Sequence, residues 1–162
     1  MPAARATVAR VIHVVTPLFI LRPSVAEDAD WMVQLRVDVM RADLERLGVW
    51  NPARARQRFL DAYVPAHTSV IEVEGEAVGL IAVRPEADAL WIEHFYLAAE
   101  SQGRGLGSAV LTRVLADYAG PLPFRLNVLV GSPARRLYER HGFRFDWQDD
   151  DVDVYLTTAP PA

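Results

Sequence analysis

The sequence predicts a single α/β (α+β) domain in which a mixed, mostly antiparallel central sheet is flanked by helices. The chain has 162 residues, enough for one domain with a substantial core and too few for two ordinary ones. Hydrophobic residues make up 51% and charged residues 23%, which is typical of a soluble globular protein. Most neighbouring strand-like segments are separated by short turns, so antiparallel hairpins should dominate the sheet.

The elements are expected in the order β-α-α-β-β-β-α-β-α-β-β. Asp28 precedes an amphipathic pattern that ends at Gly48, and Asn51-Pro52 combines an N-cap with a first-turn proline. A helix joins the fourth and fifth strands, so these two should be parallel and form a central βαβ unit. The predicted helices span about 27–47, 52–63, 106–118 and 133–141. The predicted strands span 18–22, 69–73, 77–83, 90–97, 124–130, 143–147 and 152–157, with 11–15 as an optional extra strand.

The N-terminal segment has two interpretations. We expect residues 1–17 to form a flexible extension and residues 18–158 to form the domain of a cytoplasmic protein. The apolar stretch Val11–Leu21 is interrupted at Pro17 and is far shorter than the ~20 residues of a membrane span. The alternative is a secretory or organelle leader, because the first residues are basic and Ser24–Ala26 loosely resembles a cleavage site.

Two absences from the composition exclude several classes of protein. The chain has no Cys, which removes thiol nucleophiles, Cys-ligated zinc and iron–sulfur clusters. It also has no Lys, because all 17 basic residues are Arg, and this removes Walker A nucleotide binding and pyridoxal chemistry. The net charge of -4 argues against a general nucleic-acid binder.

The strongest local motif is the glycine-rich segment Ser101–Ser108, which lies between a predicted strand and a predicted helix. Glycines allow close approach of a ligand to the backbone, and a helix N-terminus attracts anions, so this loop can hold a pyrophosphate without lysine. The dinucleotide fingerprint G-x-G-x-x-G fails, because Ser108 stands at its third glycine position. Taken alone, the loop could also be a tight strand–helix connection.

Two further segments give this loop a context. Ile92–Leu97 precedes it, and Ser132–Phe143 follows it with Leu-Tyr-Glu and Gly-Phe at a defined spacing. Together with Gln-Gly-Arg-Gly-Leu-Gly, this arrangement resembles the GNAT superfamily of acyl-CoA-dependent N-acyltransferases over about residues 19–157. The resemblance implies acetyl-CoA as cosubstrate, no metal, and no nucleic-acid or membrane partner. The acceptor would be a small-molecule amine or a peptide N-terminal or side-chain amine, and a homodimer is compatible with the family.

The resemblance also implies how acetyl-CoA is held. The strand ending at Leu97 and the strand 124–130 would splay apart, and the pantetheine arm would lie between them like an added strand. Ser132 stands where many relatives have Asn; it can cap a helix but lacks the paired donor and acceptor of an amide. The implied cofactor-binding residues are Phe95, Tyr96, Leu97, Gln102, Gly103, Arg104, Gly105, Leu106, Gly107, Ser108 and Ser132.

The implied catalytic residues are Tyr138 and Glu93. Tyr138 matches the family's usual general acid, which protonates the leaving thiolate; its alternative role is that of a core aromatic. Strand alternation places Glu93 on the face of Leu97, where the family often carries its base, and apolar surroundings would raise the pKa of this carboxyl. His94 would point to the other face as a core or helix-facing histidine with satisfied hydrogen bonds, and the alternative is a catalytic role. Many relatives use no dedicated base.

The predicted function is transfer of an acetyl group from acetyl-CoA to a primary amine by direct attack in a ternary complex. Without Cys, a thiol acyl-enzyme is impossible. The alternative is a non-catalytic acyl-CoA-binding module or sensor.

The four histidines show no metal-binding spacing. An acidic turn is either a solvated hairpin tip or an attractor for a cationic amine, and it consists of Asp149, Asp150, Asp151 and Asp153.

Overall fold

The computed structural model describes residues 18–158, in which the helices and strands follow the predicted order. The optional strand at 11–15 and the proposed extension at 1–17 lie outside the described residues. The strands are β1 (Phe19–Pro23), β2 (Thr68–Val73), β3 (Glu76–Pro85), β4 (Leu90–Leu97), β5 (Phe124–Leu129), β6 (Phe143–Gln148) and β7 (Asp153–Thr158). The α-helices are α1 (Ala29–Arg46), α2 (Pro52–Ala62), α3 (Leu106–Asp117) and α4 (Ala134–Arg140).

The strands form one seven-stranded sheet in the order β1-β2-β3-β4-β5-β7-β6. Five of the neighbouring pairs are antiparallel, and the pair β4–β5 is parallel, as the helical crossover through α3 predicts. The mixed, mostly antiparallel sheet is therefore confirmed. None of the described helices is long and apolar enough to cross a membrane.

The sheet separates two hydrophobic clusters, which we call the α1–α2 face and the α3–α4 face. Adjacent β2 residues show the division, because Val70 belongs to the α1–α2 face and Ile71 to the α3–α4 face. The α1–α2 face is built on fully buried Met32 and Phe59. The larger α3–α4 face includes Leu106, Val110, Leu111, Val114, Phe124, Leu126, Tyr138, Phe143 and Leu156.

A buried carboxylate joins the edge strand β1 to the start of α1. Asp28 accepts two hydrogen bonds of 3.0 Å from the Arg22 guanidinium and further ones from the Val25 N–H (2.9 Å) and the Trp31 indole (3.0 Å). The Arg22 guanidinium holds the pKa of Asp28 well below its usual range. The segment Ser24–Ala26 lies inside this junction, so cleavage there would remove β1 from the sheet.

A β-bulge in β4 changes which side chains share a face. Leu80 pairs with Tyr96 and Ala82 pairs with Glu93, so Ile81 stands opposite two β4 residues, one of which is His94. His94 has φ of 48°, in the left-handed region. Because of the extra residue, Glu93 lies on the α1–α2 face, whereas Leu97 packs on the α3–α4 face. The predicted shared face of Glu93 and Leu97 is therefore wrong.

The close contact between β3 and β4 next to the bulge depends on a glycine. A Cβ at Gly79 would lie 2.4 Å from the Tyr96 carbonyl oxygen and 2.7 Å from Leu97 Cδ2. We expect Gly79→Ala to lower the free energy of unfolding by about 1–3 kcal/mol, because backbone on a paired strand cannot move aside freely. Urea unfolding measures this difference. In the control Gly120→Ala, the nearest heavy atom to the added Cβ is 3.9 Å away, and equal loss in both variants would contradict the prediction.

Candidate active site

The parallel strands β4 and β5 separate soon after they begin. Only Leu90 with Phe124 and Trp91 with Arg125 are paired; beyond them the two strands have no ladder contact. The outer edges of both strands are paired normally, β4 with β3 and β5 with β7. The facing edges of β4 and β5 therefore leave backbone N–H and C=O groups available for a ligand, as the family resemblance implies.

A cavity of about 480 Å³ opens at this gap and extends between the sheet, α1, α2 and the turn between β6 and β7. Its volume lies in the range of small-molecule binding sites. It brings together the predicted site residues Glu93, Phe95, Tyr96, Ser132 and Tyr138. It also contains side chains outside the predicted catalytic and cofactor-binding residues, and these include Arg36, Asp43, Arg54, Arg58, His94 and Asn127.

The glycine-rich loop presents a run of free N–H groups at the start of α3. Gly103 and Gly105 have φ of 73° and 78°, and the first bond within the helix runs from the Ala109 N–H to the Gly105 carbonyl. Among the described residues, the N–H groups of 103–108 have no backbone acceptor. Free N–H groups at a helix N-terminus are suited to bind anions, and their assignment to a pyrophosphate stays a prediction.

Gln102 has a different position from the rest of the predicted cradle. Its N–H donates to the Ala99 carbonyl at 3.2 Å, so it is already engaged. Its side-chain amide donates to the Leu97 carbonyl at 2.8 Å. Gln102 thus fixes the loop to the end of β4, a contact that only the folded chain reveals.

A histidine missed by sequence reasoning ties α3 to α4. His141 Nδ1 lies 2.8 Å from the Leu137 carbonyl oxygen, which requires a proton on Nδ1. His141 Nε2 lies 3.1 Å from the Ser108 hydroxyl, with which it forms a hydrogen bond. The Ser108 side chain is therefore used within the protein, while its backbone N–H stays free. The spacing of Leu137 and His141 by four residues on a helix was the available signal.

Tyr138 combines a core position with access to the cavity. Its ring packs edge-on against Phe143 at 5.8 Å between centroids, and the residue is 8% exposed. Its hydroxyl makes no hydrogen bond within the described part of the chain. Burial, with a smaller contribution from Tyr96, raises the pKa of Tyr138 well above its ordinary value, so the phenol is protonated at neutral pH. Just before the same helix, the Ser132 hydroxyl accepts from the Ala134 N–H at 3.3 Å, while Pro133 occupies the N-cap position.

Glu93 lines the cavity as an ion-paired carboxylate. Its Oε1 lies 3.0 Å from Arg84 Nη2, and its side chain is 24% exposed. The premise of an isolated carboxylate in apolar surroundings is therefore not met. Nearby, Arg36 donates to the Tyr96 hydroxyl and, through Nε, to the Ala55 carbonyl at 3.0 Å, which joins α1, α2 and β4.

His94 faces the helices, as predicted, but its hydrogen bonds are not satisfied. Its ring meets Phe59 of α2 edge-on at 4.8 Å between centroids. Both ring nitrogens are buried without a partner among the described residues. Burial, with a smaller effect of Arg36, lowers the pKa of His94 to about 4. The imidazole is therefore neutral at neutral pH, and the expectation of a satisfied histidine is wrong.

The acidic turn contributes two of its four carboxylates to the cavity, Asp150 and Asp153. Asp150 Oδ1 accepts from the Val152 N–H (2.8 Å) and the Asp153 N–H (2.9 Å), and Asp153 Oδ1 accepts from the Asn127 amide (2.8 Å). These carboxylates therefore shape the turn and its contact with β5. Within residues 18–158, no group of three or more His, Cys, Asp or Glu side chains is arranged to hold a metal ion.

Comparison with protein families agrees with this geometry. A family model described as "Acetyltransferase (GNAT) domain" matches residues 65–145, which include β2 to β5, the glycine-rich loop and α4. A comparison with curated protein sequences gave no match.

Several solved structures share the fold. The N-acetyltransferase of Staphylococcus aureus Mu50 is 20% identical, with a TM-score of 0.66 over 86% of this chain and 100% of that chain. The PaiA N-acetyltransferase of Thermoplasma acidophilum, solved with coenzyme A, is 15% identical, with a TM-score of 0.70 over 87% and 98%. The diaminobutyrate acetyltransferase EctA of Paenibacillus lautus, solved with L-2,4-diaminobutyric acid and coenzyme A, is 17% identical, with a TM-score of 0.62 over 89% and 96%. At these identities the likeness establishes the fold.

The buried, neutral His94 should make stability depend on pH. The folded-state pKa of about 4 lies below the ordinary value of 6.5, so the unfolded chain binds more protons between these two pH values. The free energy of unfolding should therefore fall as the pH is lowered from about 6.5 to 4, by roughly 3 kcal/mol from this residue alone. His94→Gln removes the titration, so the stability difference between the two proteins should change across this window. Denaturant titrations at several pH values measure it, and a pH-independent difference would contradict the assignment.

Proposed function

Because the chain belongs to the GNAT family of acetyltransferases, we propose that it transfers the acetyl group of acetyl-CoA to a primary amine by direct attack in a ternary complex. The observation that carries the proposal is the gap between β4 and β5. The free N–H groups of the glycine-rich loop lie at the start of α3, and Tyr138 lies on α4. The coenzyme A complexes of two fold neighbours support the choice of cosubstrate.

The residues present fit acetyl-CoA. An extended pantetheine arm carries amides that can bond to the unpaired edges of β4 and β5, as a peptide does in strand addition. The N–H groups of 103–108 and the positive end of the α3 dipole would hold the pyrophosphate. The bound cosubstrate supplies an activated thioester; the chain supplies its orientation and the surrounding polar groups.

The chain's own groups then account for the protons of the reaction. The amine nitrogen attacks the acetyl carbonyl carbon, so a C–N bond forms while the C–S bond breaks and its electron pair goes to sulfur. Tyr138, protonated at neutral pH, gives its proton to that sulfur. The amine nitrogen loses a proton to Glu93, through water, or to solvent. Free N–H groups on the edge of β4 would stabilise the developing negative charge on the carbonyl oxygen.

Glu93 suits a supporting role in this scheme. Its carboxylate is bound by Arg84 and lies in the same cavity as Tyr138. From there it can hold the amine by a hydrogen bond or accept a proton through water. Neutral His94 adds no positive charge against the incoming amine.

Removal of the Tyr138 hydroxyl tests the reaction. In an assay that follows CoA release with a panel of primary amines, we expect Tyr138→Phe to lower kcat by about 10²–10⁴-fold, because general acid catalysis contributes that much. Affinity for acetyl-CoA should change little. The matched control is Tyr118→Phe, on an exposed tyrosine at the end of α3.

Three outcomes of this assay are informative. A Tyr138→Phe enzyme as fast as the wild type would make Tyr138 a packing residue only. Acetyl-CoA binding without CoA release for any amine would favour the alternative, a non-catalytic acyl-CoA sensor. CoA release that depends on an amine and is lost in Tyr138→Phe supports the proposal.

A charge placed in the glycine-rich loop tests the pyrophosphate site. We expect Gly105→Glu to weaken acetyl-CoA binding at least about tenfold, because the carboxylate repels the phosphates and Gly105 has a left-handed φ. Titration calorimetry measures the affinity. Gly48→Glu is the matched control, since Gly48 has φ of 73° and open space around it at the end of α1. Equal affinities of the two variants would remove the loop from the cofactor site.

A further inference from the structure

Two arginines in the cavity have no role in the proposed reaction. Arg54 and Arg58 lie four residues apart on α2, and both line the cavity. Within residues 18–158, neither side chain makes an ion pair or a hydrogen bond. Like charges at this spacing repel each other on a helix, so the arrangement costs stability unless something compensates it.

Some helical arginines of the protein are neutralised within their own helix. Arg41, Arg113 and Arg135 each pair with a carboxylate four residues further along the helix, at 2.7–2.8 Å. Four residues after Arg54 comes a second arginine instead, and four residues after Arg58 comes Ala62. Within residues 18–158, Arg56, Arg136 and Arg140 also make no side-chain ion pair or hydrogen bond, but they do not line the cavity. Arg54 and Arg58 differ from them because both border the cavity, four residues apart.

The carboxylates that face the same cavity are already engaged. Asp43 pairs with Arg46 at 3.0 Å, and Glu93 pairs with Arg84. Asp153 accepts from the Asn127 amide. Asp150 accepts two backbone N–H groups, which lower its pKa, and the charge of Arg58 adds to this effect without forming an ion pair.

We propose that Arg54 and Arg58 bind an anionic group of the acceptor, so that the acceptor is an amine that also carries a carboxylate or a phosphate ester. This inference rests on the proposed function in one respect, namely that the acceptor carries the primary amine that is acetylated. A guanidinium fork matches either anion with paired hydrogen bonds. Glu93 and Tyr138 line the same cavity, so a small bifunctional acceptor can place its anion at α2 and its amine at the gap between β4 and β5.

The sequence alone suggested a cationic acceptor attracted by the acidic turn, whereas Arg54 and Arg58 favour an anionic one. Matched pairs of acceptors, one anionic and one neutral, distinguish these two hypotheses. The common L-amino acids are compared with their carboxamides, and phosphoethanolamine with ethanolamine, by CoA release. We expect kcat/KM to be at least about tenfold higher for the anionic member of one pair type, because hydrogen bonds to charged groups contribute that much. Which pair type shows the preference identifies the anion.

Variants of α2 test the assignment to these side chains. Arg54→Gln with Arg58→Gln should raise KM for the anionic acceptor about tenfold or more and leave KM for its neutral partner unchanged. Arg56→Gln is the control, because Arg56 is exposed on the same helix and does not line the cavity. Glutamine has a helix propensity close to that of arginine, so α2 should persist in both variants.

Several results would overturn the inference. The inference fails if neutral or cationic acceptors are used as efficiently as the anionic ones, or if Arg56→Gln raises KM as much as the double variant does. An equal rise in KM for acetyl-CoA would assign the two arginines to the cosubstrate phosphates instead. A rise in KM with salt for the anionic acceptor alone supports an exposed charge contact.

A binding measurement keeps this inference separable from the proposed function. Calorimetric titration of the CoA-bound protein with the same amino acids and with phosphoethanolamine reports binding without turnover. Binding that is lost in the double variant supports the anion site even if no amine releases CoA, in which case only the proposed function fails. If no anionic probe binds, the anion site is refuted, whether or not other amines are acetylated.

Discussion

The separation of β4 from β5 is the constraint on which the rest of this structure depends. Two paired positions hold the strands together at one end, and beyond them each strand is paired only on its outer edge. Unpaired backbone groups in the middle of a sheet are costly unless water or a ligand satisfies them. The gap therefore has to be filled by water or by a ligand, and the cavity, the glycine-rich loop and α4 are all arranged around it.

The order of elements could be predicted from the sequence because each signal was local. Asn51 accepts from the Arg54 N–H as a capping residue, and the glycine cluster ends at the start of α3, as the pattern indicated. The faces of β4 could not be predicted, because one extra residue at His94 reverses the alternation that follows it. No feature of the surrounding residues marks that bulge, and a left-handed φ such as that of His94 is uncommon for any residue other than glycine.

In the candidate site, too, the parts that depend on local sequence could be predicted and the parts that depend on distant contacts could not. The loop and Tyr138 belong to contiguous motifs, so their positions followed from the family resemblance. The opposite wall is assembled from α1, α2 and the turn before β7, and no short motif connects them. Contacts such as Arg36 with Tyr96, or Asn127 with Asp153, join residues far apart in the chain and exist only in the folded sheet.

The division of the core by the sheet has a consequence for how such a protein can diverge. The loop and α4 are anchored in the cluster on the α3–α4 face, while α1 and α2 are anchored in a separate cluster built on Met32 and Phe59. Substitutions in residues that share no contacts combine nearly additively. Mutations that remodel α2 can therefore accumulate with little effect on the packing beneath the loop. Under the proposed function, selection can change the acceptor while the use of acetyl-CoA is inherited intact, which makes the α1–α2 face the more evolvable half of the molecule.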